Sequence, residues 1–178
     1  STQIGQLSAA QVAAMSNAQL AAIETADIKS LSTAALRQLS AEQVAGMGTA
    51  QLTAFTTAQA AALTTAQLNG LDTAHLNALG SAQFVAFTSA QVAGLTADQV
   101  AKLETADLAA LGTAAIKGLG VDAMALLSTA QVAALTSAQV AVLSSNQLAA
   151  LSTADVAAIE TADVKALGTA ALAGLSPD

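Results

Sequence analysis

Large apolar residues occupy every eighth position from Leu7 to Leu175, through Met15, Ile23, Leu31, Leu39, Met47, Phe55 and Leu63, without one insertion or deletion. A second apolar series follows five residues behind each of these anchors, at Val12, Leu20, Ile28, Leu36, Val44 and Leu52, with Ala60 its only small member. An unbroken register of this kind means that every unit repeats the same geometry on its neighbour. The chain therefore reads as one continuous repeat array over residues 1–178, with no internal boundary or linker. A single long α-helix does not fit, because eight residues at about 100° each rotate the apolar stripe by about 80° per repeat. The chain must turn within every octad.

What turns it stands one residue after each anchor. Those twenty-two positions hold eight Ser, five Thr, five Gly, one Asp and three Glu, which is N-cap chemistry: a side-chain oxygen accepts from the orphan N–H groups of a new helix. Three residues later Gln recurs, as in Ser8 with Gln11 and Thr136 with Gln139, which predicts a capping box. The anchor then falls at N′ and the second apolar series at N4, the two ends of a hydrophobic staple. Charge supports this phase. All twelve acidic residues lie at the cap, N2 or N3, and the five basic ones (Lys29, Arg37, Lys102, Lys117, Lys165) lie one or two residues before the next anchor. Such segregation suits a helix dipole renewed in each octad. Pro177 falls on N1, the helical position that proline favours.

The expected fold is thus all-α: a solenoid of very short helices of about two turns, one per octad, each about seven residues long. Helices of that length do not persist alone in water, so stability must come from stacking, with about three or four helices to a turn. A helical wheel places the small residues at N2 and just before the anchor on the face opposite N4, where they would permit close stacking. The position two before the anchor (Lys29, Arg37, Thr53, Asn69, Asn77, Lys117, Lys165) reads as the solvent side. A β-solenoid is the competing architecture for short repeats. It is disfavoured by the helix preference of Ala, Leu and Gln, by the missing period-two alternation and by the charge segregation.

Composition excludes several function classes. With five basic against twelve acidic residues and a net charge of −7, the surface cannot neutralise phosphates, so nucleic acid is not an expected partner. No Cys is present, which removes disulfides and thiolate chemistry. The apolar runs are too short for a membrane-spanning helix, so no membrane insertion is expected. His75 takes the Gln position after Asp72 and reads as a substituted cap. The Glu-Thr-Ala-Asp segments at Glu24–Asp27, Glu104–Asp107 and Glu160–Asp163 place both carboxylates in cap slots, short of the oxygens that calcium needs. Phe55, Phe84 and Phe87 fill apolar positions. No catalytic, cofactor or metal site is expected, and the chain does not read as an enzyme. Gly118–Leu127 is the least regular stretch, with Val121 at N1, and is expected to be locally distorted.

The octads T-A-Q-V-A-A-L-S, T-A-D-V-A-A-I-E and T-A-Q-L-N-G-L-D resemble the Ala/Leu-rich octapeptide arrays of long bacterial secreted and surface proteins, adhesin-like or fibrous. That resemblance implies a stalk or structural spacer outside the cell or on its surface, and carries no catalytic residue. Neither sequence end reads as a polar capping repeat of the kind solenoids use, so Ile4 and Leu7 at one end and Leu172 and Leu175 at the other are the expected assembly surfaces. The expected partners are further copies of the chain, head to tail, or neighbouring repeats of a longer one. An alternative is a binding module that presents its Thr/Ser row, found at sixteen of twenty-two N1 positions, to ice or polysaccharide.

Overall fold

In a computed structural model, which describes residues 3–159, 161–165 and 167–168, the chain is a three-sided α-solenoid. One turn of 3₁₀ helix at Ile4–Gln6 precedes twenty α-helices of four to six residues, one per octad, and no strand occurs among the described residues. The principal helix–helix contacts all join helices three places apart, so three octads, or 24 residues, complete a turn.

Each side of the triangle is a stack of every third helix. The first holds α1 (Ala9–Ala13), α4 (Thr33–Gln38), α7 (Thr57–Ala62), α10 (Gly80–Phe84), α13 (Thr105–Ala110), α16 (Thr129–Ala133) and α19 (Thr153–Ala158). The second holds α2 (Asn17–Ala21), α5 (Ala41–Ala45), α8 (Thr65–Asn69), α11 (Ser89–Ala93), α14 (Thr113–Ile116), α17 (Ser137–Val140) and α20 (Thr161–Val164). The third holds α3 (Thr25–Ile28), α6 (Thr49–Thr53), α9 (Thr73–Asn77), α12 (Ala97–Ala101), α15 (Val121–Ala125) and α18 (Ser145–Ala149).

The helices are shorter than the seven residues expected, because the anchor has already left helical backbone. Leu39 has φ −66° and ψ 141°, and an i−3 bond such as Leu39 N–H to Leu36 O (3.2 Å) tightens the last turn before it. The next residue is the N-cap, extended at φ −68° and ψ 161° in Ser40. Two extended residues thus make each regular corner. Anchor and N4 side chains meet inside: Leu36, Val44, Met47, Leu52, Leu68 and Leu108 are fully buried. Among the described residues one continuous apolar core runs from Val12 to Leu167.

The outside differs from the helical-wheel reading in one respect. The N2 residues, Ala10 through Ala130, face solvent, and stacking uses the residue just before the anchor, which lies over N1 of the turn beneath. Glycine recurs there on the second side at Gly46, Gly70, Gly94 and Gly118, every 24 residues. A Cβ on Gly94 would lie 2.8 Å from Thr65 Cβ, and one on Gly118 would lie 2.3 Å from Ser89 O. The Gly118–Leu127 stretch is regular apart from this contact: Gly120 caps α15 with φ −68° and ψ 156°, and of its large apolar residues Val121 and Leu126 are exposed. The distorted corner is instead Leu79–Gly80, where Gly80 has φ +62°.

These contacts predict opposite outcomes for two Gly→Ala substitutions. Gly118→Ala should destabilise by about 1–3 kcal/mol, since the obstructing atom is backbone. Gly112→Ala, whose Cβ meets nothing within 4 Å, should be close to neutral in thermal or denaturant melts.

Candidate functional site: the glutamine ladders

The residues that join one turn to the next are the N3 glutamines. Gln43 Oε1 accepts from Ser40 N–H at 2.7 Å, the Ser40 hydroxyl accepts from Gln43 N–H at 3.0 Å, and Gln43 Nε2 donates to Met15 O at 2.8 Å and Ala13 O at 3.0 Å in the turn beneath. Gln67 repeats the pattern, with Nε2 on Leu36 O and Leu39 O at 2.7 Å each. Gln59, Gln91, Gln99, Gln131, Gln139 and Gln147 do the same, always to the carbonyls 31 and 28 residues earlier. One side chain thus closes a capping box and ties two turns. Both amide hydrogens and the carbonyl oxygen are used, which satisfies a primary amide held at 1–7% exposure in Gln51, Gln59, Gln67, Gln91, Gln99, Gln131, Gln139 and Gln147. The capping box was legible in the sequence. The downward donation was not, because it depends on which corner lies beneath.

Three ladders follow, one per corner, with rungs 24 residues apart. Where Gln is replaced, the rung changes chemistry. Asp155 Oδ2 accepts from Ser152 Oγ at 2.6 Å and from Ser152 N–H at 3.3 Å, and its Oδ1 accepts from Thr129 Oγ1 below at 2.9 Å. The Ser152 hydroxyl, and after it Thr129, hold this carboxyl below the usual aspartate range despite burial. His75 Nδ1 lies 2.7 Å from Asp72 Oδ1, which also accepts from His75 N–H at 2.9 Å. Those bonds, the backbone one foremost, hold Asp72 low, and the pair is a cap. Asp107 accepts from Ser81 Oγ at 2.8 Å, and burial pushes its carboxyl up. Glu24 and Glu104 stand at cap positions without a side-chain cap bond. Glu160 lies outside the described residues. No group of three or more His, Cys, Asp and Glu comes together among the described residues.

A second set of ties lies outside. Thr53 Oγ1 donates up to Ala78 O at 2.8 Å, Asn69 Nδ2 to Gly94 O at 3.3 Å and Asn77 Nδ2 to Lys102 O at 3.1 Å, each 25 residues ahead. These side chains sit in the position read as the solvent side, and Lys29, Arg37, Lys117 and Lys165 are exposed there. Between stacked helices run shallow grooves floored by small residues, such as one of about 550 Å³ lined by Ala90, Ala93, Ala114 and Lys117.

Of the expected assembly residues, Ile4 sits in the 3₁₀ turn and Leu7 at the first corner, both half-buried against the core. Leu172 and Leu175 lie outside the described residues, as does Pro177. No helix among the described residues is long and apolar enough to cross a membrane.

The profile of one repeat family matches this octad array over residues 20–57, 68–103, 100–137, 124–153 and 156–178. The chain belongs to the ALTTAQ repeat family. The family's six letters map onto the structure, as in Ala62-Leu63-Thr64-Thr65-Ala66-Gln67: the residue before the anchor, the anchor, the cap, N1, N2 and the ladder residue. Comparison with curated proteins gives no match.

The low Asp155 carboxyl sets the sign of a pH effect. Its contribution is fully present above the ordinary aspartate pKa of about 3.9 and is lost as pH falls through the lower folded value. In melts between about pH 6 and pH 2, Asp155→Asn should therefore lose less stability on acidification than the parent. Equal acid slopes in parent and variant would show that the Ser152–Asp155–Thr129 rung does not stabilise the fold.

Proposed function

We propose that this ALTTAQ array is a non-catalytic structural rod, working outside the cell or on a bacterial surface as a stalk or as the subunit of a head-to-tail filament. The observation that carries this reading is the equivalence of successive turns. All but one of the complete described turns offer glutamine amides downward, the exception being α13–α15 with Asp107, Ala115 and Ala123 at N3, so the bonds that hold one turn to the next suit any further turn of the same repeat. Gln11 and Gln19 in the first turn make the same capping boxes, at 2.8 Å to Ser8 and Ser16 N–H. Both are exposed, and they present the edge that is buried against carbonyls in later turns. Heterologous contacts that do not close into a ring generate filaments. The Ala-, Thr- and Ser-rich exterior and the net charge of −7 suit a solvated shaft.

A second reading rests on a specific arrangement. On the first side, Thr33, Thr57, Ser81, Thr105, Thr129 and Thr153 form a column of N1 hydroxyls, one per turn. A regular hydroxyl column would suit binding to a periodic partner such as ice or polysaccharide. Ser81 and Thr129 already donate to Asp107 and Asp155, which weakens this reading in favour of the rod.

Small-angle scattering and negative-stain microscopy of the purified chain separate the outcomes. Nearly seven turns spaced about 8–10 Å apart predict a rod about 55–70 Å long. Under the filament form, unbranched threads one solenoid wide lengthen with concentration. Rods that stay single at every concentration would remove the filament and leave the stalk. A globular scattering profile would overturn the rod itself, and thermal hysteresis would favour the hydroxyl column.

A further inference from the structure

One corner departs from all the others. Anchors at regular corners have ψ between 123° and 141°, as in Leu7, Leu39, Leu63, Leu111 and Ile159. The regular glycine caps Gly48, Gly112 and Gly120 have φ between −65° and −71°. Leu79 has ψ −28° and Gly80 has φ +62°. A change of that size in both angles is a turned-over peptide plane, which reverses the Leu79 carbonyl and the Gly80 N–H. Glycine alone takes this φ without a Cβ penalty.

Local sequence does not explain it. Met47-Gly48-Thr49-Ala50-Gln51 has nearly the same pattern as Leu79-Gly80-Ser81-Ala82-Gln83, yet Gly48 is regular and its N–H donates to Gln51 Oε1 at 3.0 Å. The turn above differs: the residue 28 ahead of Met47 is His75, which sets no carboxylate over that corner. Gln139 and Gln147 donate to Leu111 O and Leu119 O, the carbonyls before Gly112 and Gly120, at 2.7 and 2.9 Å. The corresponding residue above Leu79 is Asp107, whose carboxylate can only accept. A carbonyl turned toward it would meet a second acceptor.

The other aspartate rungs cause no such change beneath them: Ser128 under Asp155 stays at φ −77° and Thr136 under Asp163 at φ −75°, both at residues for which a positive φ carries a Cβ penalty that Gly80 lacks. Asp155 has Ser152 as its cap, whereas the cap of Asp107 is Glu104, which offers no hydroxyl. Asp107 is 2% exposed, and its buried Oδ2 has no hydrogen-bond partner.

We propose that the Leu79–Gly80 peptide is a two-position switch set by the protonation state of Asp107. With the carboxylate ionised, the peptide holds the turned-over orientation. With the carboxyl protonated, Oδ2–H replaces the missing glutamine amide as donor to the corner beneath, and the peptide returns to the regular orientation, with Gly80 N–H capped by Gln83 Oε1.

The surroundings favour titration in an accessible range. Burial raises the Asp107 carboxyl first, and the Glu104 charge adds to it against the lowering by Ser81. α10 beneath and α16 above carry no charged side chain. Of the helices that flank the corner, α9 carries His75, paired with Asp72, and α12 carries Asp98, with Lys102 exposed at its end. The sign is opposite to that of Asp155. A raised folded pKa contributes stability below the ordinary aspartate range, and this is lost as pH rises through the folded value.

The test follows the Gly80 amide by ¹⁵N–¹H NMR from about pH 3 to pH 8 in the parent, Asp107→Gln and Glu104→Ser chains. The parent Gly80 resonance should titrate with a midpoint above about 3.9, moving toward the positions of Gly48 and Gly112 as pH falls. In Asp107→Gln it should hold the regular position at every pH, with slowed hydrogen exchange. In Glu104→Ser, which gives Asp107 the hydroxyl partner that Ser152 gives Asp155, the midpoint should move down. A Gly80 resonance that ignores pH in the parent, or titrates unchanged in Asp107→Gln, would overturn the proposal. So would a midpoint unmoved by Glu104→Ser.

Discussion

A single amide, the side chain of the N3 glutamine, connects helix formation to solenoid formation. Its oxygen closes the cap of its own helix, and its nitrogen takes two carbonyls at the corner one turn below. For Gln67, one of them, Leu39 O, belongs to the anchor just past the end of its helix, where a buried carbonyl left unpaired costs about 1–3 kcal/mol. The other, Leu36 O, also accepts from Leu39 N–H. The same group therefore starts one helix and satisfies the end of another. This supports helices of four to six residues, each too short to be stable alone. It also fixes the pitch, because an amide at N3 reaches the corner beneath only if three octads make a turn.

Much of this was legible in the sequence, for physical reasons that also mark where legibility ends. The octad register, the cap at Ser8 or Thr136, the staple and the apolar interior are local, set by residues within eight positions of one another. The number of helices per turn was written in the chain as well, in Gly46, Gly70, Gly94 and Gly118, but that 24-residue period is masked by the stronger 8-residue one. The downward bonds of the glutamines and the upward bonds of Thr53, Asn69 and Asn77 depend on partners 25 to 31 residues away. They could not be read before the turn length was known. The turned-over peptide at Gly80 is further still from local sequence, since Gly48 in nearly the same pentapeptide is regular.

Departures from glutamine change the chemistry between turns. The most extensive helix contacts are α1 with α4, α10 with α13 and α16 with α19. Their upper helices carry Ala35, Asp107 and Asp155 at N3. On the second side the glycine column at Gly46, Gly70, Gly94 and Gly118 supplies a close approach of its own. A quasi-one-dimensional array tolerates such variety because each turn answers only to its neighbours.

The dual role of the amide can be measured by comparing Gln99→Glu with Gln19→Glu. Glutamate keeps the acceptor that closes the cap and removes the donor. At Gln99 that donor serves Leu68 O and Leu71 O, whereas Gln19 is exposed in the first turn. Denaturant unfolding should show Gln99→Glu destabilised by about 3 kcal/mol or more, with Gln19→Glu within about 0.5 kcal/mol of the parent. Equal effects at the two positions would mean that the glutamines only cap their own helices, and that the core alone holds the turns together.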